Sequence, residues 1–132
     1  MIGYVTIGTR DLPRAVKFYE AIAKEMNTPK MMEFETFVAW GKPGGPAGIA
    51  VTLPFDKKPA SVGNGTMVAL SARSWKEVEQ FHAQALTHGG TSEGAPGLRP
   101  QYTPDFYAAY VRDPDGNKLA AVCRGFTEPQ ER

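Results

Sequence analysis

Few residues in this chain suit metal or thiol chemistry. Among 132 residues there are two histidines, His82 and His88, and one cysteine, Cys123. A single cysteine excludes an internal disulfide and a CxxC redox pair. Cys123 sits in a strand-like run, where a buried and inert thiol is expected. No apolar run approaches the roughly 20 residues that span a bilayer. The opening MIGYVTIGTRDL has no basic segment followed by a cleavable apolar stretch. The expected location is cytoplasmic, with no membrane partner. The formal net charge is +1, so no bulk field draws the chain to nucleic acid or an anionic surface. A P-loop, a dinucleotide-binding glycine fingerprint and a nucleophile elbow are all missing.

What remains has the composition of a globular domain, 42% hydrophobic and 22% charged. Its length suits one domain with a real core. The most informative stretch is Phe106–Cys123, FYAAYVRDPDGNKLAAVC. Two apolar runs flank Asp113-Pro114-Asp115-Gly116-Asn117. Proline favours the first corner of a type I turn, and Gly116 can take positive φ to close it. The two runs then pair as antiparallel strands. That register sets Tyr110 opposite Ala120 and Val111 opposite Leu119. Tyr110, Ala120 and Val122 share one sheet face, and Leu119, Ala121 and Cys123 share the other.

Earlier in the chain, Ile2–Gly8 reads as a strand with Ile2, Tyr4 and Thr6 on one face. Asp11 then caps a helix with Pro13 in its first turn. Val16, Tyr19, Ile22, Ala23 and Met26 give that helix its apolar stripe, and Arg14, Lys17, Glu20 and Lys24 face water. Residues 30–40 are one bent strand, or two with a break near Glu33–Thr36. Glu33 and Glu35, two apart, share a face if the strand is continuous. GKPGGPAG is a turn, Ile49–Leu53 a strand, and residues 54–65 a linker. A strand over Thr66–Ala72 leads to a capping box at Ser74–Glu77 and a second helix with Val78, Phe81, Ala85 and Leu86 as its stripe. Residues 91–104, rich in glycine and proline, are expected to be irregular, and TEPQER to fray.

The halves echo each other at an offset of 63 residues: Tyr4 matches Met67, Asp11 matches Ser74, and Phe18 matches Phe81. The expected class is α+β, a single domain over 1–132 built from two βαβββ modules, 1–53 and 66–124. Together they form a curved, cup-shaped mixed sheet with helices on its outer face. The uncovered face must bury or bind something. Tyr4, Thr6, Met67, Ala69, Tyr110, Ala120 and Val122 are expected to line it.

This organisation, with DLPRAVKFY after the first strand and a DPDGN hairpin near the end, resembles the glyoxalase/bleomycin-resistance/dioxygenase family of vicinal oxygen chelate proteins. GNGTMVAL, FHAQALTHGG and EGAPGLRPQY are similar to its glyoxalase-like branch. The resemblance implies, for metal-dependent members, a histidine on the first strand, a histidine or carboxylate on the matching strand of the second half, and a glutamate on the last strand. Those positions fall here on Tyr4, Met67 and Ala120. A phenol with a pKa near ~10, a soft thioether and a methyl group do not make a divalent cation site. Glu33 and Glu35 alone would be a thin substitute. The expectation is therefore no metal and no cofactor.

Several residues are candidates for holding a small molecule. Tyr4 and Tyr110 can donate hydrogen bonds, or simply fill space. Met67, Thr6, Ala69 and Ala120 would line the cup. Trp40 and Tyr102 can stack on a flat ligand, or pack at an edge. Arg99 can clamp an anionic group, or remain solvated. Both histidines fall in the region of the second helix, away from the cup. The leading reading is a small-molecule-binding, bleomycin-resistance-like protein, as a homodimer. The alternatives are a lyase, isomerase or dioxygenase acting on a small carbonyl or thiol conjugate, and an interaction module whose cup its own side chains fill.

Overall fold

The computed structural model of the chain describes residues 1–125, so the expected frayed tail at 127–132 lies outside them. The first half contains β1 (Tyr4–Gly8), α1 (Leu12–Glu25), β2 (Lys30–Phe34), β3 (Phe37–Trp40) and β4 (Gly48–Thr52). The second contains β5 (Met67–Ser71), α2 (Trp75–Thr87), β6 (Thr91–Leu98), β7 (Tyr107–Arg112) and β8 (Lys118–Cys123). Each half is a βαβββ unit with its own four-stranded mixed sheet. The strand orders are β1-β4-β3-β2 and β5-β8-β7-β6. The first strand of each half runs parallel to its last strand, and a helical crossover makes that possible. The two curved sheets do not close into a barrel.

The local signals act where the sequence places them. Asp11 accepts from the Arg14 amide and Ser74 from the Glu77 amide, capping α1 and α2. The second cap differs from a reciprocal box, because Glu77 turns back to the Arg73 amide and guanidinium. Gly116 has φ +96°, and β7 and β8 pair with Tyr110 opposite Ala120 and Val111 opposite Leu119. Residues 30–40 form two strands with a turn at 35–36. Glu35 therefore lies off the strand, and no Glu33–Glu35 pair forms on one face.

Residues 91–98 correct the expectation of irregular chain. They form the edge strand β6, paired to β7 with register shifts around Gly94. An edge tolerates Pro96, which has no N–H to give and falls between Gly94 and Gly97, where the pairing slips.

The core lies between helices and sheets. Phe18, Tyr19, Ile22, Val78, Phe81 and Ala85 from the helices meet Val38, Val51, Val111, Leu119 and Ala121 from the strands. Cys123 is buried among them. Leu86, expected in the stripe of α2, is exposed. Among the described residues no helix is long and apolar enough to cross a membrane.

A polar clasp joins the halves. Asp115, in the turn between β7 and β8, accepts from the Thr9 hydroxyl (2.5 Å), the Arg10 amide (3.0 Å) and Arg14 Nη2 (2.8 Å). Arg14 thus serves the fold rather than only facing water. The Asn117 amide side chain donates to the Gly8 carbonyl at 3.0 Å. Tyr19 donates to Asp113 at 2.6 Å within the core. Burial, reinforced by the Asp113 charge, raises the Tyr19 phenol well above its ordinary pKa.

Candidate functional site: the helix-free sheet faces

Alternation along the strands decides which side chains escape the helices. On the first sheet, Tyr4 and Thr6 pair with Gly48 and Ala50, and all four lie opposite the helix-facing Ile7 and Val51. Tyr4 is 65% exposed. On the second sheet, Met67, Ala69 and Ser71 pair with Lys118, Ala120 and Val122. Tyr110 joins the row of Ala69 and Ala120. Most of the expected lining residues therefore share the helix-free faces, Tyr4 and Thr6 on one sheet and Met67, Ala69, Ala120 and Tyr110 on the other. Ala120 is fully buried, so it forms floor rather than open surface.

Trp40 does not belong with them. Val38 and Trp40 point to the helices, and the indole is 0% exposed. Its ring lies 6.1 Å from Tyr19, and its Nε1 donates to Glu20 at 2.9 Å. The reason is parity: two residues beyond the core residue Val38, Trp40 must take the same side. Tyr102 lies in the loop after β6, exposed, with its ring edge-on to Phe106 at 5.2 Å. That places Tyr102 outside the strands, beyond the end of β6.

Arg99 comes from the same loop but folds back. Its two terminal nitrogens donate to the carbonyls of Ala95 and Gly97, each at 2.7 Å. Its Cζ stands 5.5 Å from the Tyr110 ring centre. Lys118, which the sequence reading missed, brings its Nζ to 5.7 Å from the same ring. The strand alternation through Ala120 and Val122 was the available signal for it. Arg112, on the same face, is paired with Glu93 at 3.6 Å.

The positions that the resemblance implies for the family's divalent centre carry Tyr4, Met67 and Ala120, a phenol, a thioether and a methyl group that do not fit a hard cation. Among the described residues no three His, Cys, Asp or Glu side chains gather to hold a metal. His82 is on α2, where its Nε2 lies 2.9 Å from Ser92 Oγ and burial lowers its pKa. His88 follows the helix, its Nδ1 2.9 Å from the Gln84 carbonyl.

Two cavities mark the seam between the halves. One of about 170 Å³ is lined by residues of both halves, among them Thr6, Ile7, Val68, Asn117 and Lys118. The other, of about 560 Å³, is bordered by Val5, Tyr19, Trp40, Ile49, Leu70 and Arg73, and also by Ala69, Ser71 and Gly48 from the helix-free faces, so it brings the expected site residues Trp40 and Ala69 to one cavity. Its lining comes largely from helix-side residues, and the cation Arg73 is already engaged by Glu77 at 2.7 Å.

Comparisons with known proteins agree with this architecture. The profile of the Glyoxalase/Bleomycin resistance protein/Dioxygenase superfamily matches residues 1–121. The chain belongs to that superfamily. A glyoxalase/bleomycin resistance protein from Albidiferax ferrireducens T118 superposes with a TM-score of 0.86 at 32% identity, over 95% of this chain and 99% of the other. At the level of the fold alone, the chain is similar to the fosfomycin resistance protein FosX of Mesorhizobium loti, with a TM-score of 0.65 and 15% identity over 97% and 95% of the chains. It is likewise similar to lactoylglutathione lyase of Agrobacterium tumefaciens, with a TM-score of 0.63 and 17% identity over 93% and 92%. Among curated proteins none matches.

Proposed function

We propose that this protein binds a small molecule on its helix-free sheet faces without the divalent centre of its metal-dependent relatives. The observation that carries the reading is the chemistry at the three ligand positions. A solvent-facing phenol, a thioether and a buried methyl offer contact area and one hydrogen-bonding hydroxyl, but no hard anionic ligand. Apolar burial with a few oriented polar groups is how small-molecule sites gain affinity and orientation. Tyr4, Thr6, Met67, Ala69, Tyr110 and Arg99 would supply those contacts, over a floor that includes Ala120.

The same faces support a homodimer. Tyr4, Met32, Phe34 and Met67 leave apolar side chains open to water on these faces, and exposed apolar area of that kind supports an interaction surface. A second copy would wall in the cup and exclude water from the ligand.

Native mass spectrometry of the gently desalted protein, paired with thermal melting in Zn²⁺, Ni²⁺ and Mn²⁺, tests this. A small molecule carried by the folded protein, with no saturable rise in Tm from any metal, is the expected result, because specific binding to the folded state must stabilise it. A saturable metal-induced rise abolished by Tyr4→Phe would overturn the reading.

A further inference from the structure

We propose that the helix-free face of the second sheet holds an oxyanion, with Arg99 and Lys118 gripping the carboxylate or phosphonate of a small molecule whose apolar body lies toward Met67 and Ala69. This deepens the reading of that face as a ligand site and rests on it. The argument begins with two glycines. Gly94 pairs with Tyr110 and Gly97 with Ala108, so side chains at either position would stand on the Tyr110 side of the sheet. A Cβ at Gly94 would be 3.2 Å from Arg99 Nη2 and 3.0 Å from Tyr110 Cδ2. A Cβ at Gly97 would be 3.2 Å from Arg99 Nη1. The guanidinium therefore occupies space that two missing side chains leave, and lies over the sheet face instead of extending into water.

Its orientation is held before any ligand arrives. The two carbonyl bonds to Ala95 and Gly97 use two N–H donors, leaving three of the guanidinium's five for a ligand. The Tyr110 ring restrains it further. Lys118, a compact charge on a flexible stem, approaches the same ring. Among the described residues neither cation has a carboxylate within salt-bridge distance. The neighbouring Arg112 shows the contrast, since Glu93 and the Gly116 carbonyl already engage it. Two cations with no carboxylate partner among the described residues flank one aromatic ring, and an oxyanion bound there offsets their charge. A prearranged guanidinium also loses little freedom on binding, which favours a fork-like grip on two oxygens.

The test follows backbone amide NMR shifts of the whole labelled protein during titration with benzoate, phenylphosphonate, neutral benzamide and inorganic phosphate. Benzoate or phenylphosphonate is expected to move the Gly94, Gly97 and Tyr110 amides saturably, at least about tenfold more tightly than benzamide. The better of the two identifies the oxyanion. Binding should weaken as salt rises from about 0.05 to about 0.3 M. Arg99→Gln and Lys118→Gln should each weaken it about tenfold, and Lys118→Gln, which breaks no hydrogen bond of the fold, guards against a folding artefact. Benzamide binding as well as benzoate at the same amides would overturn the oxyanion site while leaving a small-molecule cup intact. Phosphate alone binding as tightly as phenylphosphonate would overturn the apolar body. No shift with any probe at ~10 mM, about tenfold above a Kd of 1 mM, would overturn the oxyanion site.

Discussion

Removing the Asp115 carboxylate is expected to loosen the join between the two halves. Its side chain is only 4% exposed, and every partner it holds comes from the β1–α1 junction of the other half: the Thr9 hydroxyl, the Arg10 amide and the Arg14 guanidinium. A hydrogen bond to a charged group contributes about 1.5–3 kcal/mol. The Arg14 and Arg10 side chains are well exposed, so their ion pairs add little. The Thr9 hydroxyl also lies 3.1 Å from the Asp11 carbonyl and can turn to it. The Arg10 amide keeps no such alternative. Asp115→Ala should therefore cost about 3 kcal/mol, close to one strong bond plus a partly compensated second. For a domain of this size that corresponds to a Tm lowered by roughly 10 °C. Chemical denaturation followed by circular dichroism gives the free energy, and calorimetry the Tm. Arg14→Ala alone should cost under about 1 kcal/mol, and a double-mutant cycle should find the pair coupled by no more than that. Asp115→Ala within about 0.5 kcal/mol of the parent, the scale of an ordinary surface change, would refute the clasp.

Tyr19→Phe removes the 2.6 Å bond to Asp113 and should destabilise by about 2 kcal/mol at neutral pH. Because the folded phenol titrates above its unfolded value, its contribution is complete below pH ~10 and declines at higher pH. The stability gap between parent and variant should narrow there, and a gap that widens in alkaline solution would contradict the assignment. Gly116→Val combines a φ of +96° with a Cβ 3.2 Å from Val62. It should cost at least ~1 kcal/mol of stability and so lower the urea midpoint, and an unchanged midpoint would contradict the turn geometry.

Much of this molecule can be read from local pattern. The caps at Asp11 and Ser74, the turn at Gly116 and the register of Tyr110 against Ala120 depend on neighbours a few residues apart, so the sequence carries them directly. The duplicated strand–helix–strand order, and with it the faces taken by Tyr4 and Met67, follows from periodicity for the same reason. Other features involve partners distant in sequence. Pro96 and its glycines read as loop until β7 supplies a strand for the edge to pair with. Trp40 reads as a free aromatic until α1 covers its side of the sheet and Glu20 takes its N–H. Arg99 could be seen as a cation near a tyrosine, but only the Gly94 and Gly97 pairings lay it over the face, and only β8 brings Lys118 to the same ring. Alternation and capping are short-range geometry that the sequence determines by itself. Burial, charge pairing and the convergence of side chains on one surface depend on which segments the folded chain sets side by side, and that only the tertiary structure decided.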